Sequence, residues 1–390
     1  MLSFKIDAFV AGMFATKTEP TSKTLAIVCF GLIGDYILFR NMLQGFKESK
    51  RYKDYKITLI ANMCCKSLAL GLDYDFVDEF IWIDHKKLSK NILYRYKTFM
   101  ELSKRVFTEV IVPSESRSIL HTDLLALALQ AKSKLSMISC NRNIGDDTWK
   151  QEQKAIANAW YTKLFEIDYT QSVFEFDINR QVFEKITGEE LRFKKPEIII
   201  PSSVKLPEKI VLPEKYIIFA VGGSIKGKRW PAIYFSKLAK YIIEKSDYQI
   251  VFCGDKNDAL EGDEVCKNLT EEENKRILNL CGKTSLMELL LVIRDSKILI
   301  GGESSAIHMA VALEADNGDN EIFVIFPNRS FTRFAPYPEY ATKKYHLVNH
   351  DKIERNDDGS IKCKVFENSE LLEIADILPE KLIENVSKYF

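Results

Sequence analysis

The chain lacks any surplus of charge: across 390 residues Lys plus Arg and Asp plus Glu each number 55. No overall field therefore argues for a nucleic-acid partner. It also lacks an uncharged apolar run of about 18 residues, which argues against a membrane-crossing helix. There is no Cys-x-x-Cys pair, so zinc is not expected. Cys29, Cys64, Cys65, Cys140, Cys253, Cys266, Cys281 and Cys363, several of them inside apolar runs, read as buried thiols of a reducing compartment. The apolar stretch at the start of the chain is broken by Lys5 and Asp7 and shows no cleavage region. No signal peptide is read, and a cytoplasmic protein is expected.

What the chain does have is length and alternation. With 46% apolar residues, it is long enough for two globular domains. Short apolar runs at Leu25–Phe30, Ile57–Ala61, Phe80–Ile83, Val110–Pro113 and Leu135–Ser139 are separated by helix-periodic segments such as Leu88–Val106 and Thr122–Ala131. Such alternation predicts a parallel sheet wrapped by helices. The Pro-punctuated stretch Lys195–Pro213 interrupts the pattern. Alternation then restarts with runs at Tyr216–Val221, Gln249–Cys253, Arg276–Leu280, Lys297–Ile300 and Ile322–Phe326. The expected organisation is a Rossmann-like domain over 1–205, a second over 206–366, and a C-terminal helix over 367–390 that returns to brace the first domain.

In doubly wound domains ligands bind beyond the carboxyl ends of the strands. Two loops in the second half stand at such ends. Gly222-Gly-Ser-Ile-Lys-Gly-Lys-Arg-Trp-Pro231 offers glycines for close backbone approach, a hydroxyl at Ser224, and cations at Lys226, Lys228 and Arg229, which suits a diphosphate. Without a Walker pattern, an ordinary polar turn remains an equal reading. Gly301-Gly-Glu-Ser-Ser-Ala-Ile-His308 opens a helix with Ser304 as the expected N-cap, so its free N–H groups and dipole form a natural anion site. A plain cap at Ser304 and a packed His308 are the alternative. In the first half, Gly31-Leu-Ile-Gly-Asp35 is a strand-to-helix turn. It lacks the third glycine of a dinucleotide fingerprint, and Asp35 is also open to a capping role.

Further segments carry a resemblance. Asn279–Leu290, Ser296–Leu313, Phe326–Tyr337, Lys228-Arg-Trp-Pro231 and Gly34-Asp35 together resemble glycosyltransferase family 9, the bacterial heptosyltransferases. The resemblance runs over most of Leu25–Tyr337. It implies a GT-B fold of two Rossmann-like domains facing a cleft. It further implies Asp35 as catalytic base, Lys228 as a catalytic ligand of the diphosphate, and Gly223, Ser224, Asp258, Glu303, Ser304, Ser305 and His308 as the rest of the donor pocket. The chain departs from the family in having Glu303-Ser304-Ser305 where Asp-Ser/Thr-Gly is usual, Phe326-Pro-Asn-Arg329 for Phe-Gly-Pro-Thr, and a longer acidic loop, Ala315–Glu321.

The expected reaction is an inverting displacement that moves a sugar, a heptose from ADP-heptose, to a lipopolysaccharide-core or related glycolipid. No metal or other cofactor is expected, since no Asp-x-Asp cluster stands near the phosphate loops. A nucleotide-sugar epimerase and a non-catalytic nucleotide-sugar-binding protein are the rival readings. The partners are then a nucleotide-diphosphate sugar and an anionic glycolipid at the inner membrane surface, where the protein would sit peripherally. Two basic segments fit such a surface: Arg40, Lys47, Lys50, Arg51, Lys53 and Lys56, and Lys86, Lys87, Lys90, Arg95, Lys97, Lys104 and Arg105, the latter interleaved with Tyr94, Tyr96 and Phe99. Solvated helix faces are the plainer reading of both.

Overall fold

The computed structural model describes residues 2–13, 20, 22–114, 117–138, 148–170, 172, 174–223, 226–327, 333–353 and 372–390. Ser224, Cys140, Cys363 and the Asn328-Arg329 part of the Phe326 turn lie outside the described residues. The chain divides into two compact units, Met1–Lys194 and Lys195–Phe390.

The first unit is built on six strands, β1 (Thr24–Cys29), β2 (Lys56–Asn62), β3 (Glu79–Ile83), β4 (Val106–Val112), β5 (Gln130–Met137) and β6 (Lys163–Phe165). They pair in the order β3-β2-β1-β4-β5-β6, and every pairing is parallel. The continuous apolar character of β1 follows from this placement, because a central parallel strand is covered on both faces by crossover helices; Leu25, Ala26, Ile27 and Val28 are fully buried. The second unit repeats the plan with β7 (Tyr216–Ala220), β8 (Gln249–Cys253), β9 (Ile277–Asn279), β10 (Ile298–Gly302), β11 (Glu321–Phe326) and β12 (Tyr345–Asn349), in the order β12-β11-β10-β7-β8-β9. Strand order therefore reverses between β1 and β4 in one unit and between β7 and β10 in the other.

Several expectations are corrected. Each sheet has a sixth strand that the apolar runs did not reveal: β6 is only three residues long, and β12 reads Tyr-His-Leu-Val-Asn, half polar. The segment read as one helix over Leu88–Val106 is two, His85–Lys90 and Ile92–Ser103, because the Asn91 side chain accepts from the Tyr94 N–H and starts a new helix. A further helix, Leu2–Met13, precedes β1. Cys64 is exposed in the turn after β2, whereas Cys65, Cys253 and Cys281 are buried as read.

The C-terminal helix, Pro379–Val386, packs on the core of the second unit. Its Leu382 and Val386 join Ile374 and Ile377 in one apolar cluster with Trp230, Phe235 and Ile242. The Trp230 indole N–H donates to the Ile377 carbonyl at 2.7 Å. The division between units falls after Lys194, ahead of residue 205, because the Pro-punctuated stretch is tied to the second unit. Ile198 N–H donates to the Ala312 carbonyl at 2.9 Å, Lys195 pairs with Glu314 at 2.5 Å, and Ile198 is fully buried.

The second unit expressed from Lys195 should therefore unfold cooperatively at a higher temperature than one begun at Pro207. Loss of buried Ile198 and Ile200, about 1.5–3 kcal/mol each, should lower the midpoint by roughly 6–24 °C. Equal calorimetric midpoints for the two lengths would show that the stretch is only a linker.

Candidate functional site

β10 lies beside β7, with Gly301 opposite Ala220. The two loops picked out in the second half therefore leave adjacent parallel strands at the same end, where the strand order reverses. They are packed tightly. A Cβ on Gly302 would collide with the Lys228 carbonyl oxygen, so glycine there lets the first loop settle against the end of β10. The first loop is anchored further along by Trp230, whose ring meets Phe235 edge-on at 4.9 Å.

This approach brings four side chains together. The Lys228 ammonium forms an ion pair with Glu303, both largely buried. His308, one turn into helix Ser305–Ala312, places Nε2 3.4 Å from the other Glu303 oxygen and Nδ1 2.7 Å from the Tyr337 hydroxyl. Burial alone would raise the Glu303 carboxyl, but the hydrogen bonds and charges of His308 and Lys228 outweigh it and hold it at about 2. Burial pushes the Tyr337 phenol well above its ordinary value. The phenol keeps its proton and shares a hydrogen bond with His308 Nδ1.

Ser304 stands at the N-cap position of that helix, but its side chain makes no capping bond, and among the described residues its buried Oγ has no hydrogen-bond partner. This corrects the capping expectation. The Ile307 N–H already donates to the Ser304 carbonyl at 3.1 Å, and among the described residues it is the Ser305 and Ala306 N–H groups at the helix start that are left to an acceptor from outside it. Gly223 accepts from Arg229 Nε through its carbonyl at 3.0 Å. Asp258 sits behind the loop. A Cβ on Gly222 would overlap its carboxylate, which accepts from the Asp255 N–H at 2.8 Å and stands 3.6 Å from Arg229. Its described contacts are thus with the loop's own scaffold. Sequence reasoning missed Tyr337 as the partner of His308; the two are 29 positions apart and no periodicity links them.

In the first unit Asp35 follows β1 at the corresponding reversal of strand order. It is the third residue of helix Ile33–Phe39, and its Oδ2 accepts from the Leu32 N–H at 2.8 Å. One oxygen thus does capping work, and among the described residues Oδ1 makes no hydrogen bond. The helix is fixed from behind by a buried cluster. The Tyr36 hydroxyl donates to Asp73 at 2.7 Å, and Arg40 pairs with the same carboxylate at 2.8 Å.

That pairing removes Arg40 from the first basic segment. Lys47 is bonded to Asp78 at 2.8 Å and Arg51 to Glu109 at 2.9 Å, so three of the six cations of this segment are paired with acids from other elements.

The family model of glycosyltransferase family 9 (heptosyltransferase) matches residues 132–346. A lipopolysaccharide heptosyltransferase 2 of Escherichia coli (strain K12) is 26% identical over 161 residues, 41% of this chain and 42% of that protein. The matched stretch thus spans less than half the length of that relative. A lipopolysaccharide heptosyltransferase 1 of Campylobacter coli is 26% identical over 305 residues, 74% of this chain and 81% of that protein. Among solved structures, the E. coli ADP-heptose lps heptosyltransferase II aligns with a TM-score of 0.59 at 16% identity, over 94% of this chain and 98% of that one. This likeness shows the two-domain GT-B type of fold.

The depressed Glu303 carboxyl has a consequence for acid stability. A group held below its unfolded value adds stability above that value, near 4.5, and loses it as pH falls toward 2. Glu303→Gln should therefore destabilise the second unit by about 3 kcal/mol near neutrality, with the gap from wild type shrinking by more than half at about pH 3. Urea midpoints measured across that range check it, and a gap independent of pH would refute the ion-pair account.

Proposed function

The chain belongs to glycosyltransferase family 9, the heptosyltransferases, and from that premise we propose that it moves a sugar from a nucleotide diphosphate to a glycolipid acceptor with inversion. The observation that carries this reading is the junction of β7 and β10. There one cation, Lys228, stands beside a helix start whose N–H groups no Ser304 side chain occupies. A diphosphate leaving group needs those two features. An ammonium and a fixed set of N–H dipoles in a partly dehydrated site stabilise negative charge as it develops, with little reorganisation. Glu303 holds Lys228 in place, and His308, itself held by Tyr337, holds Glu303.

The attacking acceptor hydroxyl must lose a proton. Asp35 is the base for it: the Oδ2 contact with Leu32 fixes the carboxylate, and Oδ1 is left to take the proton. The donor is ADP-heptose, in keeping with the name of the E. coli enzyme whose structure aligns with this chain. The acceptor is a lipopolysaccharide core, in keeping with the names of the relatives. No helix among the described residues is long and apolar enough to cross a membrane, and the protein would meet a membrane-held acceptor from the surface.

Two substitutions test the assignment. Lys228→Ala should weaken ADP binding by about 1.5–3 kcal/mol, the range of a charge-assisted hydrogen bond; unchanged affinity in titration calorimetry removes the phosphate role. Asp35→Asn retains an oxygen to accept from Leu32 N–H, so turnover on a lipopolysaccharide-core acceptor should fall by about 10² to 10⁴ while ADP affinity holds. A lower melting temperature with undiminished turnover per folded molecule would make Asp35 a cap and nothing more.

A further inference from the structure

Two helices of the first unit turn apolar side chains outward where inward positions were available. Helix Leu2–Met13 lies against helix Ile92–Ser103, fastened by a buried ion pair in which Arg95 Nη1 reaches Asp7 at 2.9 and 3.2 Å. Phe4, Asp7 and Ala11 face inward, while Ile6, Phe9 and Met13 on the opposite face are exposed, Phe9 at 68%. The neighbouring helix buries Phe99 and Leu102 and leaves Leu93 78% exposed, with Ile92 and Met100 also in solvent. Leu93, Lys97 and Met100 recur at helical spacing and share one side.

The charges of helix Ile92–Ser103 and of helix His85–Lys90, which precedes it in the chain, are unbalanced. Glu101 is paired with Lys104, Asp84 with Lys87 and Asp7 with Arg95. Exposed Lys86, Lys90 and Lys97 form no ion pair with any described acid. Tyr94, Tyr96 and Phe99, which the sequence interleaves with these lysines, are buried or half-buried, so the apolar component comes from other residues of the same two helices.

We propose that this face docks on an anionic lipid bilayer, with Phe9 and Leu93 entering the acyl boundary and Lys97, together with Lys86 and Lys90 of the preceding helix His85–Lys90, at the headgroups. Exposed apolar side chains alone would suit a protein partner equally. The uncompensated lysines around them fit the negative potential of anionic lipid, and their long stems reach from apolar ground to the phosphate layer. The inference rests on the proposed reading in one respect: it names the face that meets a membrane-held acceptor.

Co-sedimentation of the full chain with phosphatidylcholine vesicles, with and without phosphatidylglycerol, tests it. Binding should require phosphatidylglycerol and weaken as salt rises from about 0.05 to 0.5 M. Replacing Lys86, Lys90 and Lys97 together by Gln should weaken it roughly 100-fold, about fivefold for each lysine at the surface. Phe9→Ser with Leu93→Ser should weaken it likewise, and Val211→Ser, exposed in the second unit, should not. Equal binding to both vesicle types, no binding, or insensitivity to the Phe9 and Leu93 changes overturns the proposal. So does a dimer in light scattering that these changes dissociate, since the face would then join two copies of the chain. ADP binding is read on the same samples. Its loss in the wild type would sink the donor reading, whereas intact ADP binding with no vesicle binding sinks only the docking face.

Discussion

Parallel pairing of β10 alongside β7, with Gly301 across from Ala220, is the constraint on which the donor half of the site depends. Because side chains and loops of parallel strands leave in one direction, two segments about 75 residues apart are delivered to the same edge. The close packing of Gly302 against the Lys228 backbone then sets how near they come. Lys228 and Glu303 meet as a consequence, and His308 and Tyr337 complete a line of contacts reaching into the buried interior. A buried pair of this kind adds little net stability over an apolar pair, since both ions give up hydration. It does fix where a charge stands, and a charge in fixed position is what binding a diphosphate calls for.

The same logic explains why charge runs in the sequence were a poor guide to surface function. Arg40, Arg51 and Arg95 are each drawn into contact with an acid far away in the chain, Asp73, Glu109 and Asp7. A guanidinium with five donors is suited to such partly buried pairing. Of the lysines on neighbouring elements Lys47 pairs with Asp78, whereas Lys86, Lys90 and Lys97 stay in solvent, where their compact ammonium is strongly hydrated. What remains on the surface of the first unit is therefore a different set from the one counted along the sequence, and it comes with apolar neighbours that no charge count includes.

Membership of glycosyltransferase family 9 and the geometry of the second unit are independent lines. One comes from the match over residues 132–346, the other from the ion pair, the uncapped helix start and the reversal of strand order. Both are compatible with the nucleotide-diphosphate site proposed above. At the departures, Glu303 takes both Lys228 and His308 as partners, and among the described residues the Ser304 hydroxyl is left without one.

The sequence by itself determined the two doubly wound sheets, because buried parallel strands such as β1 and β7 must read as short apolar runs and their crossovers as helix-periodic segments. It also located the loops that carry Asp35, Lys228 and Glu303, since ligand loops follow strands. Elements with little apolar signal, β6 and β12, were not legible, nor was the docking of the C-terminal helix, whose amphipathic pattern specifies that a face is buried and leaves the partner open. Only the tertiary structure decided that Trp230 and Ile377 would meet, that Tyr337 would hold His308, and that Asp73 would claim Arg40. Such contacts join residues between 29 and 147 positions apart. Local propensity and spacing carry no record of them, because they arise from strand order and from the need of each buried polar group to find a partner.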